Sequence, residues 1–187
     1  MLTLIFNGSP RPNGDTAQLI AALRGELAGE VEQIDVYRAD IAPCVDCRFC
    51  WKQGRCALDD DMTRVYELLA RADNVVIASP VYFSELTGRM LDMASRLQVY
   101  YAGKRFAGKS PDMKRQKRGA MLLTGGGNGA PDRAMATARL LLRCMGVAGA
   151  ADAPCVGSFN TDTVPAGSDE HALSAARRIG RMLSDGR

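Results

Sequence analysis

Four cysteines lie close together in the first third of the chain. They are Cys44, Cys47, Cys50 and Cys56, in the segment PCVDCRFCWKQGRC, with the spacing C-x2-C-x2-C-x5-C. Iron–sulfur clusters are held by four such thiolates, and the compact ferredoxin motif has nearly this spacing. Structural zinc sites usually pair two thiols, leave a longer gap and then supply a second pair. The third closely spaced cysteine therefore favours an iron–sulfur cluster over zinc, and a set of free thiols is the remaining alternative.

The composition is that of a globular protein in a reducing compartment. The chain has 187 residues, 47% of them hydrophobic, so we expect one domain over residues 1–187. With 24 basic and 21 acidic residues, its net charge of +3 predicts no nucleic-acid or membrane partner. We expect neither a signal peptide nor a membrane span, and hence a cytoplasmic protein without disulfides. Cys144 and Cys155 stand apart and are expected to be small core residues.

Strand patterns alternate with helical patterns along the chain. Strands are predicted at residues 2–6, 31–37, 74–78, 119–124 and 147–156. Helices are predicted at residues 15–27, 62–70, 87–97, 132–145 and 171–183. This order predicts an α/β fold, a doubly wound five-stranded parallel sheet with the strand order 2-1-3-4-5. The basic segment 103–118, which includes Arg115, is interpreted as a solvated loop, with a patch for nucleotide phosphates as the alternative.

Three loops leave strands one, three and four at the edge where such sheets bind ligands. The first loop combines small hydrogen-bonding side chains, one guanidinium and the start of a helix, which predicts a phosphate cradle. Its relevant residues are Ser9, Arg11, Asn13, Gly14 and Thr16. The glycine spacing matches neither the dinucleotide fingerprint nor the P-loop.

The loop after the third strand suits a flat ring system. The segment Ser-Pro-Val-Tyr-Phe at residues 79–83 pairs a stiffening proline with groups that stack on aromatic rings. The alternative is that Tyr82 and Phe83 are core aromatics. Glycines follow the fourth strand at 125–127 and 129.

Several chemically active side chains receive a structural interpretation. His171, the single histidine, is expected on the surface of the last helix, which leaves no hydrolytic triad. Trp51 is expected to pack, although it lies beside the cysteines. The three carboxylates that precede residue 62 are expected to cap the following helix instead of binding a metal. They are Asp59, Asp60 and Asp61.

Together these segments resemble the NAD(P)H-dependent FMN reductase family of the flavodoxin-like superfamily. The segment Gly-Ser-Pro-Arg at 8–11, with Asn13, Gly14 and Thr16, is similar to that family's FMN-phosphate loop, and residues 79–83 are similar to its flavin-ring loop. The cysteine run resembles that of the iron–sulfur flavoproteins in the same superfamily. The resemblance implies a flavodoxin-like fold, non-covalently bound FMN, NAD(P)H as co-substrate and a homodimer or homotetramer.

The resemblance also implies roles for individual residues. The FMN phosphate would be held by Ser9, Arg11, Asn13, Gly14 and Thr16. The isoalloxazine ring would be bordered by Pro80, Val81, Tyr82 and Phe83, and the third wall would be Thr124, Gly125 and Gly126. A [4Fe-4S] cluster would be held by Cys44, Cys47, Cys50 and Cys56. Flavodoxins are acidic and have no arginine in the phosphate loop, so Arg11 favours a reductase.

We therefore expect an FMN-dependent oxidoreductase that moves electrons between a nicotinamide nucleotide or protein donor and a small-molecule or protein acceptor. No side chain is assigned as a catalytic acid or base, because hydride transfer requires none. One alternative is a quinone or azo-compound reductase without a cluster. Another is a non-catalytic thiol or metal redox sensor on the same fold.

Overall fold

The five strands form one parallel sheet in the order β2-β1-β3-β4-β5, as predicted. The computed structural model describes residues 1–114 and 116–185. The strands are β1 (Leu2–Asn7), β2 (Glu30–Asp35), β3 (Asn74–Pro80), β4 (Arg118–Gly125) and β5 (Cys155–Phe159). Every residue of β1 and β3 is buried. Central strands of a parallel sheet are covered on both faces, which explains their nearly continuous apolar sequences.

Helices cover both faces of the sheet. They are α1 (Asp15–Arg24), α2 (Phe49–Gln53), α3 (Met62–Arg71), α4 (Gly88–Ser95), α5 (Gln98–Ala102), α6 (Asp132–Cys144) and α7 (Glu170–Ser184). One core cluster joins α1 and α7 to the sheet, and a second joins α3, α4 and α6 to its other face. Helices α1 and α7 approach so closely that a side chain at Gly180 would collide with the Leu23 carbonyl. No helix among the described residues is long and apolar enough to cross a membrane.

The last strand begins later than predicted. Residues 147–154 were expected to start β5, but the strand begins at Cys155, and Ala150–Asp152 form a 3-10 turn. Gly146 and Gly149 have φ values of 89° and 60°, which interrupt an extended chain. Alanine and glycine also have low strand propensity. The apolar composition of residues 147–154 therefore does not correspond to a strand, and Ala148, Gly149 and Ala151 are exposed.

Two further predictions need correction. Cys144 is exposed at the end of α6 and is not a core residue. Half-buried Cys155 does pack against the core, and burial raises the pKa of its thiol to about 11.

The segment 103–118 is not simply a solvated loop. Gly103–Ala107 continue α5 as a π-helical turn, and Lys117 is buried with its ammonium donating to the Lys114 carbonyl. Arg115 lies outside the described residues.

Candidate functional site

The loops that follow β1, β3 and β4 meet at one edge of the sheet. Asn7 pairs in register with Ala78, and Pro80 pairs with Thr124. Two backbone bonds continue the pairing past the strand ends: the Gly8 amide donates to the Ala78 carbonyl at 2.7 Å, and the Val81 amide donates to the Thr124 carbonyl at 2.8 Å. The three loops identified from the sequence therefore lie next to one another at this edge of the sheet.

The hydroxyl group of Ser9 holds the first loop in shape. Ser9 is 3% exposed; its Oγ accepts from the Arg11 amide and donates to the Arg11 carbonyl, both at 3.2 Å. Asn13 and Arg11 are exposed, and the Arg11 guanidinium lies 3.0 Å from the Asp15 carboxylate. Gly14 is the N-cap of α1 and provides no side-chain cap. The first amides of this ten-residue helix are therefore available to an anion.

A buried polar network joins the first loop to the loop after β3. The Thr87 hydroxyl donates to the Gly8 carbonyl at 2.9 Å, and the Thr87 amide donates to Ser79 Oγ at 3.3 Å. At the end of β1, the Asn7 side chain donates to Asp35 at 2.7 Å and accepts from the Ser9 amide at 3.0 Å. Sequence reasoning missed these positioning residues, although an asparagine before a glycine at a strand end is a turn signal.

The loop after β3 contains a tight two-residue turn with exposed aromatic side chains. The amides and carbonyls of Tyr82 and Glu85 exchange two hydrogen bonds, at 2.8 and 3.0 Å. Between them Phe83 and Ser84 have φ values of 53° and 63°, the left-handed pair of a type I′ turn. Asparagine and glycine are the usual residues there. Phe83 is fully exposed and Tyr82 is 45% exposed, so the alternative that they are core aromatics is wrong.

The glycine-rich loop after β4 is bonded to the loop after β5. The Gly125 carbonyl accepts from the Thr161 amide at 3.0 Å, and the Gly126 carbonyl accepts from the Asp162 amide at 3.3 Å. A Cβ at Gly126 would lie 2.6 Å from the Asp162 carboxylate. The glycines therefore permit a close loop–loop contact that sequence reasoning did not anticipate. At its base, buried Thr124 is hydrogen-bonded to Thr16.

The four cysteines line one cavity of about 180 Å³. Cys44 and Cys47 are exposed, whereas Cys50 and Cys56 are half-buried. Burial raises the pKa of Cys50, and the negative charges of the other three thiolates raise it further. Over residues 1–114 and 116–185, no group of three or more His, Cys, Asp or Glu side chains is arranged to hold a metal ion. The four thiols therefore line one cavity, but they are not arranged to coordinate a single metal ion.

The cavity walls come from distant parts of the chain. Asp46 and Arg48 have φ values of 48° and 57°, so left-handed residues on either side of Cys47 curl the loop. Trp51 stacks on Phe106, with ring centroids 4.0 Å apart, and both line the cavity. The prediction that Trp51 packs is confirmed, and its partner comes from the segment predicted to be a loop.

A buried ion pair lies at the base of the cysteine loop. Arg96 and Asp60 form two hydrogen bonds, at 2.6 and 3.1 Å, and their side chains are 1% and 9% exposed. Arg96 also donates to the Ala42 carbonyl at 2.8 Å and lines the cysteine cavity. Burial opposes ionisation of Asp60, yet hydrogen bonds from Arg96 and from the Ala42 and Met62 amides lower its pKa.

The capping prediction is correct only in part. Asp60 accepts from the Met62 amide at 3.1 Å, but its main partner is Arg96. Asp61 instead accepts from the Asp40 amide at 2.8 Å. Nothing in the local sequence of α4 and α5 indicates that Arg96 is buried. His171 is exposed, as predicted.

Comparison with known proteins adds a family match over most of the chain. The sequence profile of the NADPH-dependent FMN reductases matches residues 1–160. An iron–sulfur flavoprotein from Archaeoglobus fulgidus is 26% identical over 181 residues, which covers 95% of this chain and 76% of that protein. An iron–sulfur flavoprotein from Methanosarcina thermophila is 27% identical over 184 residues, covering 96% and 92%.

A solved structure shares the fold at low sequence identity. The FMN-dependent NADH-azoreductase from Bacillus anthracis, solved in complex with FMN, superposes with a TM-score of 0.69. The match covers 99% of this chain and 100% of that chain at 16% identity. The superposition shows that the two chains share the flavodoxin-like architecture.

Proposed function

The chain belongs to the NADPH-dependent FMN reductase family, and we propose that it passes electrons from a nicotinamide nucleotide or a protein donor to an acceptor through FMN and a [4Fe-4S] cluster. Membership makes it an NAD(P)H-dependent flavin oxidoreductase. Bound FMN supplies hydride and single-electron chemistry. The observation that carries the cluster proposal is the convergence of Cys44, Cys47, Cys50 and Cys56 on one cavity. The site of action would be the reducing cytoplasm.

The FMN phosphate would lie at the N-terminus of α1. The uncapped amides after Gly14, the Arg11 guanidinium and the Asn13 side chain are available to bind a dianion there. Ser9 and Thr16 would act differently. Their hydroxyls are already bonded within the protein and hold the loop in shape, with acceptor or donor capacity remaining.

The isoalloxazine ring would lie between the loops after β3 and β4. Val81 and the rigid Pro80 would border one side, with Tyr82 and Phe83 at the exposed edge. Gly125 and Gly126 would bring backbone close to the ring, above the buried Thr124. Since hydride transfer needs no acid or base, these residues would orient the ring and exclude water. Residues 1–187 would then form a single FMN-binding domain.

The cysteine cavity suits a cluster better than a zinc ion. Zn–S bonds are about 2.3 Å long, so the four sulfur atoms around one zinc ion lie roughly 3.8 Å from one another. In a cubane each thiolate binds a different iron, so the sulfurs are spread further. The cavity of about 180 Å³ exceeds by far the share of one water, about 30 Å³. The relatives named iron–sulfur flavoproteins support the same proposal.

The test is an ultraviolet–visible spectrum of protein purified without air, with iron and acid-labile sulfide measured on the same sample. We expect flavin bands, a broad brown shoulder and about four irons per chain. A variant with Cys44, Cys47, Cys50 and Cys56 replaced by serine should keep FMN and lose iron. Cys144→Ser is the matched control, because that thiol is exposed elsewhere, and it should retain both. Flavin without iron in the wild-type protein would overturn the cluster proposal.

A quinone or azo-compound reductase without a cluster is the second candidate. It is favoured by the lack of a preformed metal-ligand group among the described residues. It predicts that the four-serine variant reduces quinones with NAD(P)H as fast as the wild type. Complete loss of that activity with FMN retained would exclude it. Membership of an enzyme family argues against a non-catalytic sensor.

We propose a homodimer or homotetramer, assembled through the groove between α5 and α6. This groove of about 730 Å³ contains Tyr101 and Leu140, which are 64% and 47% exposed. Assembly through this groove would cover both side chains. Sedimentation should give two or four chains for the wild type and a smaller assembly for Leu140→Asp, with Met182→Asp, on the opposite side of the sheet in α7, as the control.

A further inference from the structure

We propose that Arg96 is a positioning residue that raises the reduction potential of the group held by the four cysteines, and that Asp60 limits this effect. The inference rests on the proposed cluster. Arg96 is 2% exposed, yet it lines the cysteine cavity. A buried cation at the wall of a redox site acts on every charge placed in that site, because little solvent screens it.

One nitrogen of the Arg96 guanidinium has no hydrogen-bond partner among the described residues. Two of its nitrogens bond to the Asp60 carboxylate, and one of these also donates to the Ala42 carbonyl. The remaining nitrogen, Nε, is buried and has no hydrogen-bond partner among the described residues. Unpartnered buried donors are uncommon in folded proteins, so each invites an explanation. This N–H therefore leaves the cation at the cavity wall without a full set of acceptors.

The cation is also fixed relative to the first cysteine. The Arg96 bond to Ala42 anchors the chain two residues before Cys44. The neighbouring Ser95 hydroxyl accepts from the Cys44 amide at 2.9 Å. The end of α4 and the residue after it therefore hold the start of the cysteine loop at two points. Asp60 holds the guanidinium from the far side of that loop, just beyond Cys56 in the sequence.

The sign of the effect follows from charge. Reduction of the cluster by one electron, supplied by the nicotinamide nucleotide through FMN, adds one negative charge to the cavity. The Arg96 cation stabilises that charge and so favours the reduced form. The Asp60 carboxylate partly cancels the cation. Net charge and hydrogen bonds to sulfur are among the factors that determine the reduction potential of a cluster.

The test is a spectroelectrochemical titration of the cluster in four variants, with the FMN of the same sample as internal reference. Arg96→Gln removes the positive charge, and Arg96→Lys keeps the charge but lacks the planar guanidinium group. Asp60→Asn removes the opposing carboxylate charge. Arg89→Gln is the matched control. Arg89 lies in α4, donates to the Ala39 carbonyl at 3.2 Å and does not line the cavity. Iron and sulfide per chain are measured for each protein.

We expect Arg96→Gln to lower the equilibrium constant for cluster reduction about tenfold, which is about 59 mV for a one-electron couple. Arg96→Lys should lower it less, and Asp60→Asn should raise it. Arg89→Gln should leave it unchanged, and the FMN potential should move little in any variant. These opposite directions distinguish an electrostatic role from a structural one.

Other outcomes overturn the inference in recognisable ways. Full iron content with unchanged cluster potentials in Arg96→Gln and Asp60→Asn would overturn the role of Arg96 and leave the cluster proposal intact. Potentials that fall in both variants would indicate loop distortion instead of charge. If Arg96→Gln fails to fold, Arg96→Lys and Asp60→Asn still have predicted shifts of opposite sign. Wild-type protein without iron would overturn the cluster and, with it, this inference.

Discussion

The hydroxyl oxygens of Thr16 and Thr124 lie 2.8 Å apart in the interior, although 108 residues separate them in the sequence. Thr16 belongs to the first turn of α1 and Thr124 to the end of β4. Both side chains are almost completely buried. One hydrogen bond therefore joins the proposed phosphate loop to the proposed third wall of the flavin site.

We predict that Thr124→Val weakens FMN binding and destabilises the protein. The change leaves the Thr16 hydroxyl buried without a partner, which costs about 1–3 kcal/mol. Chemical unfolding and fluorescence titration with FMN would measure the two effects. The double variant Thr16→Val with Thr124→Val should recover part of the stability, because no unpaired hydroxyl remains. If the double variant lost as much stability as the two single variants combined, the two hydroxyl groups would not be coupled.

Arg11→Gln is predicted to weaken binding of FMN without affecting binding of riboflavin, which lacks the phosphate. The Arg11 side chain is 68% exposed and pairs with Asp15, so solvent screens its charge. We therefore expect a loss of only about 1 kcal/mol, roughly fivefold in Kd. Titrations with both flavins would measure it. Arg24→Gln, at the other end of α1, is the control, and an equal loss for riboflavin would argue against a phosphate contact.

The strand order and the meeting of the three loops could be predicted because local patterns determine them. The buried strands β1 and β3 have continuous apolar sequences, and parallel connections place their following loops at one edge. Strand β5 was misplaced because residues 147–154 are apolar in composition, although half of them are exposed and Ala150–Asp152 form a 3-10 turn. Apolar composition alone does not identify a strand.

The walls of the cysteine cavity could not be predicted, because they depend on long-range contacts. Trp51 and Phe106 stack across 55 positions, and Asp60 pairs with Arg96 across 36. No local periodicity signals either contact. An arginine at a helix end ordinarily faces water, so the burial of Arg96 depends on a partner that only the fold provides.

The Asp60–Arg96 pair predicts a pH dependence of stability. The pKa of Asp60 is lowered in the folded protein, so its ionisation stabilises the fold above the unfolded pKa of about 3.9, and this stability is lost as pH falls through the lower folded pKa. Asp60→Asn should be destabilised by about 3 kcal/mol at pH 7, since it leaves Arg96 buried without its counter-charge.

Urea unfolding of both proteins between pH 7 and pH 3 would measure this difference. The wild-type advantage should be constant down to about pH 4 and shrink below it, because the protonated carboxyl resembles the amide. Asp59→Asn, which alters a neighbouring exposed carboxylate, is the control and should show no such change. An advantage as large at pH 3 as at pH 7 would mean that the pair does not contribute through its charge.

Substitutions in the turn after β3 are predicted to change the stability of the protein and the function of the site independently. Phe83 and Ser84 occupy left-handed positions that cost non-glycine residues about 1–2 kcal/mol each. Glycine removes this cost at position 84 but has more freedom in the unfolded chain. Ser84→Gly should therefore stabilise the protein by about 0.5 kcal/mol, measured by thermal unfolding, while FMN affinity stays unchanged.

Phe83→Asn should stabilise the turn similarly, since asparagine tolerates the left-handed conformation, but it removes an exposed aromatic ring from the edge of the proposed flavin site. We expect its KM for NAD(P)H or for an aromatic acceptor to rise severalfold, because stacking on the ring is lost. Steady-state kinetics of Ser84→Gly, which keeps Phe83, provide the comparison. If both variants keep wild-type kinetics, Phe83 has no role at the site, and the strained turn serves only to connect β3 to α4.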